Sequence, residues 1–280
     1  MASGGTAQMQ NHARQCAVAS ALCVLLLGGC LSLDVPEDAF FYPDARVAAE
    51  KIDLPTDAPM VFPAEVARLR TGRRDAPLIL YCGGNLFRRS SGAGTVANEL
   101  APFGDVLMFD YPGYGDTAGQ ADYANFLAAG VAVADAARAQ AEAEGRKLIA
   151  WGHSLGGPVC AQAAAYMKAD ALVLEATTPS TRAAVDTMVG WARPFVRVNI
   201  APNLDAIDVP AALKTYSGKV VVLEAGRDKT LPPALSRRLA RELRTEGLRV
   251  EHLLFPQADH GDVPQQADFK PRMAAALDGL

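Results

Sequence analysis

Apolar and polar residues alternate in blocks along most of this chain. Short, near-continuous apolar runs occupy residues 77–82, 105–109, 147–151, 171–175, 220–224 and 250–255. They have the length and composition of strands covered on both faces. Between and after them lie stretches that are alanine-rich or return an apolar residue every three or four positions: 92–100, 123–144, 159–167, 233–246 and 265–277. These are predicted helices. A further early strand is expected around 65–69. Strands alternating with helices predict an α/β domain over residues 61–280, with a doubly wound, mostly parallel sheet and helices on both faces. Function in such sheets collects at the carboxyl ends of the strands. Residues 177–218 break the alternation with Trp191, Phe195, Ile200 and Leu204 and prolines at 179, 194, 202 and 210. At about 40 residues the stretch is long for a loop without a task. It reads as a small lid or a long crossover, its apolar side chains lining an acyl pocket or packing on the sheet.

The N-terminus has another pattern. Residues 1–15 are polar, with Arg14 the fixed positive charge, and residues 16–27 are almost wholly apolar before Gly28-Gly29-Cys30. This is the pattern of a signal peptide over 1–29, too short for a comfortable membrane span. Leu27-Gly28-Gly29-Cys30 resembles a bacterial lipobox, which implies cleavage before Cys30 and lipid on its sulfur. Two or three acyl chains on one residue anchor a protein stably. Leu31, a residue other than Asp after that cysteine, implies the outer membrane of the bacterial envelope in the Gram-negative pattern. Residues 30–60, rich in Pro and Asp, read as lipidated cysteine, tether and irregular lead-in.

With 50% hydrophobic and 21% charged residues the chain suits a globular domain, and a net charge of −4 without a dense basic cluster excludes nucleic acid as an expected partner. Cys16 and Cys23 leave with the signal. Cys82 ends a central strand and Cys160 lies on the following helix, so two buried free thiols are expected rather than a disulfide. No histidine or cysteine stands at zinc spacing, so no metal is expected.

The chemistry centres on Gly152-His153-Ser154-Leu155-Gly156, between a predicted strand and a predicted helix. In that context the Gly-x-Ser-x-Gly spacing puts a serine on a tight strand-to-helix turn, with its oxygen exposed above the sheet. The N–H of Leu155 at the helix start faces a developing oxyanion. A serine needs a base, and the base needs an orienting group. His12 lies in the signal, His252 in a predicted strand, and His153 is expected to point away from the base position. His260, in the loop after the last strand, is the expected base. The acid should come earlier in the chain and after the preceding strand, which selects Asp228, with Glu175 as a weaker alternative. The second oxyanion donor is expected in Gly83-Gly84-Asn85, at Asn85 or alternatively Gly84. Arg88 and Arg89 read as an exposed helix lead-in or as contacts for an acidic substrate.

Several motifs together resemble the α/β-hydrolase superfamily and, within it, the ABHD-type serine hydrolases. They are Leu80-Tyr81-Cys82-Gly83-Gly84-Asn85, Phe109-Asp110-Tyr111-Pro112-Gly113-Tyr114-Gly115, the Ser154 elbow, Gly226-Arg227-Asp228 and Asp259-His260-Gly261. The resemblance covers roughly residues 75–265. It implies the α/β-hydrolase fold and an esterase, thioesterase or lipase-like activity on a small acyl ester or thioester, without cofactor. One position departs: Gly83 stands where the family usually has a histidine that braces the oxyanion loop. Two rivals remain at this point, a serine peptidase of the same fold and a non-catalytic envelope lipoprotein that works by binding.

Overall fold

The computed structural model describes residues 31–42 and 66–280. The signal peptide, Cys30, residues 43–60 of the lead-in and the first five residues of the expected domain, 61–65, lie outside the described residues. Strands β2 (Val66–Leu69), β3 (Leu78–Cys82), β4 (Asp105–Phe109), β5 (Leu148–His153), β6 (Ala171–Glu175), β8 (Lys219–Ala225) and β9 (Val250–Phe255) form one sheet. Its order is β2-β4-β3-β5-β6-β8-β9. The β2–β4 pairing is antiparallel and every other pairing is parallel. Every residue of β3, β4 and β6 is buried, which explains their unbroken apolar runs. Alternate residues serve opposite cores: Leu78, Leu80 and Cys82 enter one cluster, Ile79 and Tyr81 the other.

Helices cover both faces. α2 (Arg89–Leu100), α3 (Tyr123–Glu144), α4 (Gly156–Met167), α8 (Ala234–Thr245) and α9 (Phe269–Leu277) correspond to the expected helices. α2 and α4 each begin three residues earlier than their apolar patterns predict, because the polar and glycine residues at their starts carry no periodicity. α3 starts at Asp122, whose side chain accepts the Asn125 N–H, and stops at the left-handed Gly145. Its buried stripe, Phe126, Ala129, Gly130, Val133, Ala134, Ala137 and Ala141, repeats at helical spacing. A Cβ at Gly130 would lie 2.7 Å from the Val159 side chain, so α3 and α4 cross closely there.

The lead-in differs from expectation. Residues 31–42 are not irregular: β1 (Leu31–Val35) pairs in parallel with β7 (Val196–Ile200), and α1 (Glu37–Phe40) follows. The sequence could not show this, because among the described side chains of the two strands only Val196 is buried, and their pairing spans 165 residues, as in Asn199 to Asp34. The 177–218 stretch holds α5 (Thr181–Val189), a 3₁₀ segment (Gly190–Phe195), β7, α6 (Pro202–Asp205) and α7 (Val209–Ala212). Leu204, Ile207, Val209 and Leu213 join the main core, whereas Trp191 and Phe195 are exposed. No helix among the described residues is long and apolar enough to cross a membrane.

Candidate active site

Ser154 stands between β5 and α4 with φ +53°, a left-handed conformation that costs a non-glycine residue roughly 1–3 kcal/mol. Its surroundings hold it there. The Ser154 N–H donates to the Glu175 carbonyl (2.9 Å), and its carbonyl accepts from Thr177 Oγ1 (2.7 Å). The two flanking glycines are steric necessities. A Cβ at Gly152 would lie 2.5 Å from the Gly156 carbonyl oxygen, and one at Gly156 would lie 2.0 Å from the Cys82 carbonyl oxygen. Leu155 is the helical residue immediately before α4, so its N–H belongs to the unpaired first turn.

The loop after β9 brings His260 to this serine, Nε2 2.8 Å from Ser154 Oγ. The loop after β8 brings Asp228, whose Oδ2 lies 2.7 Å from His260 Nδ1. Asp228 Oδ1 accepts the N–H groups of Thr230 and Leu231, both at 2.8 Å. Two backbone donors therefore aim this buried carboxylate at the imidazole. A carboxylate at Nδ1 requires Nδ1–H, which leaves Nε2 bare to accept the serine proton. Ser154, Asp228 and His260, chosen on chain order, thus stand in one chain of hydrogen bonds.

Glu175 does not share in it. Its Oε2 accepts from the Trp151 indole (2.8 Å), and it lines a cavity of about 240 Å³ with Glu99, Tyr81, His153 and Gly261. His153 departs from expectation. It does not point away: its ring centroid lies 5.1 Å from that of His260, and its Nε2–H donates to the His260 carbonyl (2.8 Å). Burial holds its pKa below the ordinary value, so it is a neutral prop for the loop that carries His260.

The second oxyanion segment follows β3. A Cβ on Gly84 would lie 2.9 Å from His153 Nδ1 and 3.4 Å from Ser154 Cβ, so the Gly84-Asn85 backbone runs against the nucleophile. Asn85 has a further role that the sequence did not show. Its Nδ2 donates to the Phe40 carbonyl (2.8 Å), and its Oδ1 accepts from the Tyr114 hydroxyl.

The family model for the alpha/beta hydrolase family matches residues 83–274. The chain belongs to the alpha/beta hydrolase family. Two uncharacterized proteins of Mycobacterium tuberculosis, from strains H37Rv and CDC 1551, are each 29% identical to this hydrolase over 206 residues, 73% of this chain and 70% of theirs. Among solved structures, TT1662 from Thermus thermophilus superposes with a TM-score of 0.60 at 17% identity, covering 79% of this chain and 95% of its own. Est1E from Butyrivibrio proteoclasticus, with ferulic acid bound, gives 0.57 at 16% identity, covering 76% and 92%. The Pyrococcus furiosus esterase PF2001 gives 0.57 at 14%, covering 76% and 85%. At these identities the structures share the fold.

The hydrolase's departure at Gly83 has a steric cause. A Cβ there would lie 2.3 Å from the Phe87 ring, which packs against Tyr81 (centroids 5.3 Å apart) and against Gly92. Phe87 fills the space. Bracing of the loop comes instead from the Asp-Tyr-Pro-Gly-Tyr-Gly run and from the N-terminal segment. The Tyr111 hydroxyl donates to the Gly83 carbonyl (2.9 Å), and Asp110 accepts the Arg89 N–H (2.6 Å). Arg88 is neither an exposed lead-in nor free for substrate. It is 4% exposed, stacks over Tyr114 (3.8 Å) and donates to the carbonyls of Asn85, Phe87 and Tyr42. Phe41, buried against Phe126, anchors that N-terminal segment in the core. Restoring the family residue should therefore harm this hydrolase. Gly83→His is expected to cost about 1–3 kcal/mol of stability through overpacking and to lower turnover. Gly83→His with Phe87→Ala should recover much of both. Melting curves and kcat/KM for the two variants check this, and a fully active single variant would contradict it.

Cys82 and Cys160 correct another expectation. They are a disulfide, with Cα atoms 5.8 Å apart, rather than two free thiols. It ties the strand end before Gly83 to the second turn of α4. Parallel pairing of β3 with β5 sets Cys82 beside Gly152, and this long-range contact brings the sulfurs together.

The cavity beside Glu175 makes a pH prediction. Burial and the nearby Glu175 push Glu99 up to about 7. A carboxyl whose folded pKa lies above its unfolded value contributes stability below the unfolded value, and this is lost as pH rises through the folded one. Glu99→Gln should melt above the wild type at pH 8, with the difference vanishing near pH 4. A difference constant across that range would contradict the assignment.

Proposed function

We propose that this hydrolase is a lipid-anchored serine hydrolase of the bacterial envelope, cleaving carboxylic ester or thioester bonds of small acyl substrates through an acyl-enzyme on Ser154. The observation that carries the reading is the Ser154–His260–Asp228 chain at 2.8 and 2.7 Å, at the carboxyl ends of β5, β8 and β9. The solved relatives named as esterases support the ester class, and the Asp-Tyr-Pro-Gly-Tyr-Gly run with the Ser154 elbow supports an ABHD-type assignment. In the proposed cycle, Ser154 Oγ attacks the acyl carbon as His260 Nε2 takes its proton. The N–H groups of Leu155 and of Asn85 or Gly84 stabilise the oxyanion. Collapse expels the alcohol or thiol, which receives the proton from His260. Water, activated by the same imidazole, then attacks the acyl-enzyme and releases the acid and Ser154. Asp228 holds the imidazole tautomer throughout. The anchor rests on the lipobox resemblance at Cys30.

Hydrolysis of p-nitrophenyl esters and acyl thioesters of graded chain length, set against peptide p-nitroanilides, tests the substrate class. The expected result is turnover of esters or thioesters that disappears in Ser154→Ala. Cleavage of the anilides alone would favour a peptidase, and no turnover of any would favour the binding lipoprotein.

A further inference from the structure

The 177–200 segment carries an apolar surface that the proposed chemistry does not use. Met188, Trp191 and Phe195 are 60%, 86% and 70% exposed, within eight residues of one another. Large exposed side chains clustered in this way mark interaction surfaces, and Trp and Phe favour the boundary between water and lipid. Charge does not mark the patch, because Arg182 is ion-paired with Asp205 and Arg193 with Asp186.

The path of the chain selects the occupant. β1 runs parallel to β7 with Leu31, its first residue, opposite Val196, which directly follows Phe195 in the chain. In the sequence, Cys30 of the lipobox resemblance directly precedes Leu31. The same segment reaches the active site at its other end. α5 packs through Ala183 and Ala184 against Leu235 and Leu231, and Leu231 donates its N–H to Asp228.

We infer that Met188, Trp191 and Phe195 form a docking surface for a phospholipid bilayer, seated beside the start of β1, to which the proposed anchor is joined. Met188 lies on α5, which packs on the acid loop, and Trp191 and Phe195 on the 3₁₀ segment that follows it, so docking brings the active-site end of the sheet to the lipid surface. The geometry rests on the anchored reading for its orientation, and the test separates the two.

The chain has two tryptophans, and the other, Trp151, is fully buried. Trp191 is therefore a built-in probe. The full chain, expressed in a lipoprotein-processing bacterium and extracted from its membranes, is reconstituted into phosphatidylglycerol vesicles with ordinary or brominated acyl chains. Brominated lipid is expected to quench the emission strongly in the wild type and not in Trp191→Phe. A Met188→Ser/Phe195→Ser variant should show the quenching reduced, with about tenfold weaker partition when its Cys30→Ala form is added to vesicles. The mass of the N-terminal peptide reports lipid on Cys30 separately. Quenching with an unmodified Cys30 keeps the docking surface and removes the anchor. Lipid on Cys30 without quenching of Trp191 overturns the docking surface. Protection of Trp191 from iodide that depends on protein concentration and needs no vesicles would also overturn it, assigning the patch to a second copy of the chain.

Discussion

Asp228→Asn should lower ester turnover by about 10⁴-fold while leaving the fold intact. The buried carboxylate accepts from His260 Nδ1 at 2.7 Å and is held by two backbone N–H groups. An asparagine of the same shape keeps those donors' partner if its oxygen faces them, but it then presents an NH₂ to Nδ1. The imidazole is driven into the tautomer that carries hydrogen on Nε2, which cannot accept the serine proton. The effect should fall on kcat, because the ground-state contacts of the substrate are untouched. Glu175→Gln is the matched control. Its carboxylate faces the Trp151 indole rather than His260, so turnover should stay within about tenfold of wild type, the scale of one altered buried hydrogen bond. Steady-state kinetics with melting curves checks both. Near-normal turnover in Asp228→Asn would return the acid to another carboxylate.

The largest effect on stability is expected at the disulfide. Cys82 and Cys160 close a loop with a sequence separation of 78. On the loop-entropy account, removing such a cross-link costs roughly 4 kcal/mol, and measured values for disulfides centre on 2–4. For a domain of this size that corresponds to a fall of about 10 °C in Tm. Cys82→Ala/Cys160→Ala should melt lower by this amount, and a reductant should lower the wild type towards the variant. The bond joins the end of β3, just before the Gly84-Asn85 segment, to the helix that follows Ser154. Turnover should therefore fall before the protein unfolds. Titration of thiols in denaturant, without reductant, should find neither cysteine free. Two free thiols, with unchanged Tm in the variant, would contradict the bond.

The parts of this molecule legible in the sequence share one property, a local pattern fixed by burial. β3, β4 and β6 are covered on both faces and so read as unbroken apolar runs. The elbow showed itself because both flanking glycines answer to backbone atoms within 2.5 Å. His260 and Asp228 could be chosen because loops after parallel strands converge at one end of the sheet. What stayed hidden depends on contacts between distant segments. The β1–β7 pair has too many exposed positions to print an apolar run. Arg88 reads as a surface residue, yet its three backbone acceptors and the Tyr114 ring let it be buried. The disulfide needed the neighbourhood of β3 and β5. A signal for it existed, since one cysteine ended the strand before the oxyanion loop and the other lay one turn inside the elbow helix. The bracing of Asn85 by Phe40 and Tyr114 had no such signal, because a backbone carbonyl is the same for every residue.

The central claim is that Ser154 is an activated nucleophile, and fluorophosphonate labelling tests it most directly. The protein is treated with the probe, digested and mapped by mass spectrometry, alongside His260→Ala and Asp228→Asn. The geometry predicts a single adduct on Ser154, lost in His260→Ala and strongly slowed in Asp228→Asn. A folded wild-type protein that takes no adduct on Ser154, or labels equally fast without His260, would contradict it.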